Sequence, residues 1–315
     1  MKPKTKTKTK IKVIGIGGAG NNAISRMFSC DVKGIDLIAI NTDVQDLKKV
    51  QAHQKLRIGG QTAKGLGSGM NPLIGRESAE ESRAELTEFL GETDMVFITA
   101  GLGGGTGTGA SPILAEMAKK RGILVVAVVT KPFSFEGRER IKIAEQGLEE
   151  LRKQVDTLLI IPNDRILKLV DEKTSLIDAF WLCDDVLRQA VQGISDLIVL
   201  PGMINVDFAD VKMIMKNSGP ALLGMGKAKG EDRAKKAALQ AINSPLIDFS
   251  IKGGRAVLFN ISTKDEVALT EIDEVAQVIT EKLHPQVKVI FGAVQDRRLE
   301  RGEIKITVIA TGFKH

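Results

Sequence analysis

The 315-residue sequence predicts an α/β fold, in which a parallel sheet covered by helices on both faces is joined through one long helix to a smaller α+β domain. Three observations carry this. Short β-branched apolar runs alternate with helical stretches through the first half of the chain, the pattern of strands buried on both faces. Three glycine-rich loops each follow such a run, and parallel sheets bind ligands at the carboxyl ends of their strands. Ile177, Phe180, Cys183, Leu187, Val191, Ile194 and Ile198 keep a spacing of three or four, the stripe of a single long helix.

The most informative stretch is Gly101-Leu102-Gly103-Gly104-Gly105-Thr106-Gly107-Thr108-Gly109. Met95 to Ala100 before it has the length of a buried strand, and Ala110 to Lys120 after it has helical composition. Strand, glycine loop, helix is an anion-binding order. Glycines admit positive φ, so successive N–H groups converge on one oxygen cluster, and the helix N-terminus adds partial positive charge. Thr106 and Thr108 supply hydroxyl donors. A flexible linker is the simpler alternative, but linkers rarely place two threonines so regularly between a strand and a helix.

The elements follow in order. Ile11 to Ile16 is a strand running into Gly15-Ile16-Gly17-Gly18-Ala19-Gly20, and Asn21 to Phe28 is helical. The G-x-G-x-x-G spacing matches a dinucleotide fingerprint, which alone is a weak signal. Strand Leu37 to Ile40 ends in Asn41-Thr42-Asp43, where Asp43 either holds a ribose or caps the next turn. Gly59-Gly60 to Asn71-Pro72 is the third loop, and Ser78 to Leu90 one amphipathic helix. Strand Ile123 to Val129, the loop Pro132 to Arg140, helix Ile141 to Lys153 and strand Thr157 to Ile161 follow, after which Asn163 opens a short helix. The glycine loops and the Pro132 loop all leave the same sheet edge, so they are expected to converge on one ligand. Thr174 or Ser175 caps the long helix and Pro201-Gly202 stops it; Gly193 inside it suggests close packing. Beyond it lie a short helix opened by Asn205-Val206-Asp207-Phe208-Ala209-Asp210, strands Ala221 to Ala228, Arg255 to Ser262, Val287 to Phe291 and Glu303 to Thr311, and helices Asp232 to Asn243 and Ile272 to Leu283. The expected division is a disordered basic arm (1–10), a ligand-binding domain (11–175), a connecting helix (176–202) and a C-terminal α+β domain (203–315).

Composition narrows the function. Hydrophobic residues make up 43% and charged residues 27%, ordinary for a globular protein. The net charge of +6 resides in Lys2, Lys4, Lys6, Lys8, Lys10 and Lys12; without these six, the 45 basic residues become 39 and equal the 39 acidic ones. A neutral body argues against a nucleic-acid partner, and the Lys-Thr arm reads as solvated. Cys30 and Cys183 form no C-x-x-C, so neither a disulfide framework nor a zinc site is indicated and a reducing cytoplasm fits best. The longest aliphatic run, Ile123 to Val129, is too short for membrane insertion. His53, His284 and His315 are scattered, against a His triad or metal cluster.

No G-x-x-x-x-G-K-[ST] occurs, which disfavours a P-loop enzyme. Guanine presents two adjacent donors that one carboxylate accepts together, and its ring stacks on phenylalanine. Phe180 and Asp184, one helical turn apart, offer both; taken alone, they are read more simply as a core phenylalanine and a solvated acid beside Asp185.

The sequence resembles the FtsZ family, bacterial tubulin homologues of cell division, over residues 11 to 313. The resemblance is carried by Gly103 to Gly109, the tubulin signature, and in order by Gly17-Gly18-Ala19-Gly20-Asn21-Asn22, Asn41-Thr42-Asp43, Phe135 to Arg140, Asp185 to Ile194 and Asn205 to Asp210. It implies a tubulin-like, Rossmann-like GTP-binding domain in which Gly17 to Asn22, Asn41 and Gly104 to Gly107 surround the nucleotide, with Thr106 and Thr108 as hydroxyl donors. It implies that Glu136 and Arg140 serve ribose and phosphate, that Asn22, Asn163, Phe180 and Asp184 select guanine, and that Mg²⁺ accompanies GTP or GDP. It further implies head-to-tail filaments forming a division ring at mid-cell, in which Asn205, Asp207 and Asp210 of one subunit complete the next subunit's site. Geometry favours that sharing: sixteen residues from Asp184 to Leu200 span roughly 24 Å of helix, more than one nucleotide. Asp207 as a plain helix cap is compatible with it.

The chain also departs from the family pattern. Members usually continue past Thr311-Gly312-Phe313 with a linker and a peptide that binds membrane tethers, and this chain stops at His315, which puts tether and division-protein partners in doubt. Met70, Trp181 and Cys183 are unusual where they stand. An NAD-dependent oxidoreductase using the first loop leaves Gly103 to Gly109 unexplained and lacks a hydride-site acid; a scaffold that polymerises without turnover is the third reading.

Overall fold

A computed structural model describes residues 9–169, 173–200, 202–246 and 253–313. Most of the expected basic arm, together with Pro201 and His315, lies outside the described residues.

Along the chain the elements are β1 (Ile11–Ile16), α1 (Gly17–Ser29), β2 (Asp36–Asn41), α2 (Val44–Lys49), β3 (Gln54–Arg57), α3 (Pro72–Glu81), α4 (Arg83–Leu90), β4 (Met95–Gly101), α5 (Gly105–Lys120), β5 (Leu124–Lys131), α6 (Arg138–Gln154) and β6 (Thr157–Pro162). The short α7 (Asn163–Ile166) and the spine α8 (Leu176–Val199) come next. They are followed by α9 (Phe208–Met215), β7 (Gly219–Lys229), α10 (Arg233–Ile242), β8 (Ala256–Thr263), α11 (Leu269–Thr280), β9 (Lys288–Gln295) and β10 (Glu303–Thr311).

All these strands form one sheet in the order β3-β2-β1-β4-β5-β6-β7-β10-β8-β9. The first six are parallel. Their β-branched runs are buried on both faces, with one apolar cluster joining α1 and α8 to the sheet and another joining α3 to α6 to its other side. The C-terminal strands do not form a detached sheet. β7 joins β6 in parallel register over Thr157, Leu158 and Leu159, and beyond it β10 pairs antiparallel with both β7 and β8. The spine is buried against both halves: Ala190 and Ile194 share a cluster with Val126 and Leu159 on one side and with Leu258 and Ile309 on the other. A Cβ on Gly193 would lie 2.7 Å from Thr307 Cγ2, so the glycine lets α8 press onto β10.

The expected single helix from Ser78 to Leu90 is two helices. Asn71 Oδ1 accepts from Leu73 N at 3.0 Å and Pro72 takes the first helical position, so α3 begins inside the third loop. It ends where Ser82 leaves helical geometry and its hydroxyl accepts from Gly59 N. α1 and α5 also begin earlier than expected, at Gly17 and Gly105 rather than Asn21 and Ala110. Glycine's low helix propensity argued for loop there, but close packing overrides it. A Cβ on Gly20 would meet Thr99 O at 2.4 Å, and one on Gly107 would meet Gly101 O at 2.8 Å.

Candidate nucleotide site

The order β3-β2-β1-β4-β5-β6 reverses direction between β1 and β4, and the loops leaving these two strands open a crevice at their carboxyl ends. A cleft of about 670 Å³ lies there, lined by all three glycine loops. Gly17, Gly18, Ala19 and Asn22 line it from the first, Gly104, Gly105, Thr106 and Gly107 from the central one, and Gly67, Ser68 and Gly69 from the third. Asn41, Glu136, Arg140, Asn163, Phe180 and Asp184 also line it.

The loops brace one another. Thr106 Oγ1 shares hydrogen bonds with Thr42 Oγ1 at 2.6 Å and Ser68 Oγ at 2.7 Å, and Gly105 N donates to Gly69 O at 3.0 Å. A Cβ on Gly17 would sit 3.0 Å from Gly107 N, which brings the starts of α1 and α5 side by side. Two helix N-termini thus face one volume, an electrostatic setting for a polyphosphate. At its far side Glu136 accepts from Phe133 N at 2.8 Å and pairs with Arg140, which fixes the guanidinium at the rim.

Three residues expected to touch nucleotide do not line the cleft. Gly20 serves the contact of α1 with β4. Asn21 is fully buried and its Nδ2 donates to Ile40 O at 3.2 Å. Thr108 Oγ1 accepts from Gly103 N at 2.9 Å, holding the glycine loop from behind. Asn41 does line the cleft, yet its amide is spent on the loop: Oδ1 accepts from Thr42 N and Nδ2 donates to Asp46. Of the two readings of Asp43, the cap is realised, since Oδ1 accepts from Gln45 N and Asp46 N; the residue also lines the cleft. Ser68, Gly69 and Lys49 are among the wall residues that sequence reasoning missed. Glycine density in the third loop signalled the first two; nothing in the sequence signals Lys49.

At the other end, Phe133 packs edge-on to Phe180 at 5.4 Å and stacks with Phe135 at 4.9 Å. Phe180 keeps 39% exposure, a surface available for stacking. Asn163 is buried and its Oδ1 has no partner among the described residues, so the wall holds a polar group whose hydrogen bond is still to be made. Burial pushes the Asp184 carboxyl up to about 7, with Arg26 opposing and Asp185 adding to the rise. Burial likewise pushes Cys183 up to about 12, with Asp184 and Glu136 adding to it, so this thiol stays protonated. Stacking surface, orphaned amide and near-neutral carboxyl suit a flat base carrying polar edges.

Asn205, Asp207 and Asp210 do not line this cleft. All three are exposed, beyond the far end of α8. Asp207 occupies the cap position of α9 without a side-chain capping bond, while Asn205 Oδ1 accepts from Gly202 N at 2.7 Å.

Among the described residues no group of three or more His, Cys, Asp or Glu could hold a metal ion, and no helix is long and apolar enough to cross a membrane. Cys30 and Cys183 are both free thiols.

Comparison with known proteins agrees with the geometry. The model of the Tubulin/FtsZ family GTPase domain matches residues 10–171, and that of the FtsZ family C-terminal domain matches residues 219–314. An empty FtsZ dimer from M. jannaschii superposes with a TM-score of 0.94 at 45% identity, covering 98% of this chain and 89% of that one. CetZ2 from Haloferax volcanii, solved as a GTPgS-bound protofilament, shares the fold at a TM-score of 0.80 and 22% identity over 98% of this chain and 94% of its own. With the cleft at the strand switch point and both family models matched in sequence order, the chain belongs to the FtsZ/tubulin family and is a GTPase of that family.

Proposed function

We propose that this chain polymerises head to tail and that GTP held in one subunit's cleft is hydrolysed when Asn205, Asp207 and Asp210 of the next subunit close over it. In this reading residues 11–175 bind the nucleotide, 176–202 form the spine and 203–315 present the acids. The filament is the cytoplasmic division ring at mid-cell.

The observation that carries the reading is the separation of two half-sites by the spine. Asp184 lines the cleft, while the acids lie past Val199, about 22 Å further along the helix at 1.5 Å per residue. A contact between unlike ends does not close, so it propagates. Exposed apolar side chains at the two ends support it: Leu66, Met70 and Phe135 on the loops around the cleft, Met203 and Met213 beside the acids.

The chemistry follows from these groups. N–H groups in the first turns of α1 and α5, other than that of Gly105, bind the phosphates with Arg140 and stabilise charge developing on the transferred group. Asp207 and Asp210 orient the attacking water and accept its proton. Asp184 and Asn163 read the base edge and Phe180 its face. Among the described residues no group of three or more His, Cys, Asp or Glu forms a metal site, so Mg²⁺ would enter with the nucleotide and would supply neutralisation of phosphate charge.

Phosphate release and light scattering, measured together against protein concentration, test the proposal. Turnover per chain should rise steeply with concentration and track assembly, and Asp210→Ala should bind GTP while losing turnover. Full activity in a monomer at any dilution overturns it.

A further inference from the structure

The base end of the cleft has a neighbour with no part in the scheme so far. α1 and α8 are in contact, and Ala23, Ile24 and Met27 of the first share one apolar cluster with Ala179, Cys183 and Leu187 of the second. At the edge of that contact Arg26, in the last turn of α1, places its guanidinium carbon 4.0 Å from the ring centroid of Trp181. Trp181 is half-exposed and is the chain's single tryptophan. It follows Phe180 directly and precedes Asp184 by three residues, so it and Asp184 share a helix side. Among the described residues Arg26 forms no direct ion pair, which leaves its charge, fixed on the Trp181 ring one helical turn from Asp184, free to act on that carboxylate.

We propose that Arg26 is a positioning residue for base recognition: anchored on the Trp181 ring, it holds a fixed positive charge beside Asp184 and keeps that carboxylate in the form that accepts the base donors. This deepens the assignment of Asp184 as guanine reader and rests on it. Cation–π packing suits the task, because a planar guanidinium stacked on an indole stays localised without surrendering its charge to a carboxylate. The groups acting on Asp184 are Arg26 from α1, which favours the charged form, and Asp185 on α8, which opposes it; Glu136, from the segment before α6, acts on the adjacent Cys183. Burial raises the Asp184 carboxyl to about 7 even with Arg26 present, so the charge acts where small changes alter the ionised fraction at neutral pH.

The test is equilibrium dialysis of GDP between pH 6 and 9 at low salt, on the full chain and on Arg26→Gln, Arg26→Lys, Trp181→Leu and Asp184→Asn. A partly screened neighbouring charge shifts a carboxyl by about one unit, so Arg26→Gln should lower GDP affinity about fivefold at pH 7 and by less than about 1.5-fold at pH 9. Arg26→Lys, which keeps the charge, should stay within about twofold of the parent throughout. Trp181→Leu, at a half-exposed position, should move the profile in the same direction by less, and adding it to Arg26→Gln should change nothing further. Titration of the terminal phosphate is common to all the proteins and cancels in the ratios. An Arg26→Gln loss of the same factor at every pH, or an unmoved profile, overturns the proposal. If Asp184→Asn keeps the parent's affinity and pH profile, the assignment of Asp184 falls first, and the role of Arg26 with it.

Discussion

Two inactive variants should restore each other. Asp184→Ala removes the carboxylate proposed to accept both base donors; at about 1.5 kcal/mol or more per charge-assisted hydrogen bond, nucleotide affinity should fall by at least about a hundredfold. Asp210→Ala leaves the cleft intact and removes an acid that the cleft's own chain does not bring to it. Each variant alone should therefore release little phosphate, one for want of nucleotide and the other for want of an oriented water. In an equimolar copolymer assembled at random, about one junction in four places an intact cleft against an intact acid loop, so turnover should recover to about a quarter of the parent rate. Phosphate release from the mixture, with sedimentation to show that both chains enter the same polymer, measures this. A co-sedimenting mixture no more active than the separate variants would refute the shared site, as would Asp210→Ala turning over at the parent rate by itself.

Other expectations follow from single contacts. Asp184→Asn exchanges one acceptor for a donor, so the cleft should lose about two orders of magnitude for GDP and come to prefer xanthosine diphosphate, whose edge offers one donor and one acceptor; competition dialysis reads this. Gly193→Ala forces a Cβ against Thr307 and should cost about 1–3 kcal/mol in guanidinium unfolding while leaving nucleotide affinity unchanged. The parent's GDP affinity should fall about tenfold from pH 8 to pH 6 beyond the phosphate's own titration. The sign follows from a carboxyl raised to about 7: it is ionised and accepting above that value, and protonated, with one acceptor lost, below it.

Much of the cleft was legible because glycine loops that line one volume leave a pattern along the chain. Glycines that let two helices start against one volume appear as clusters directly after apolar strands, and strand alternation fixes which sheet edge they leave. What escaped was whatever depends on how loops meet. Thr106 and Thr108 look equivalent in sequence, yet one faces the cleft and the other holds Gly103 from behind, because positions two apart on a helix point in different directions. Asn21 and Asn22 divide the same way, one into the core and one into the wall. The helix starts at Gly17 and Gly105 were hidden because propensity argues against glycine, whereas the contacts that reward it are long-range. The pairing of β7 with β6 had no sequence signal, since strand partners separated by a long helix leave no periodic trace.

That pairing has a mechanical consequence. The two halves of the sheet are stitched by three residue pairs, Thr157 with Gly219, Leu158 with Pro220 and Leu159 with Ala221, and Pro220 brings no N–H to the ladder. Side chains reinforce the stitch: Thr157 Oγ1 donates to Met215 O at 2.6 Å, and Asp156 accepts from Val125 N and Asn217 N. A plate creased along one short line bends there before it bends anywhere else. A load applied to the C-terminal strands should therefore turn them about β6, against the resistance of the long helix packed on both halves.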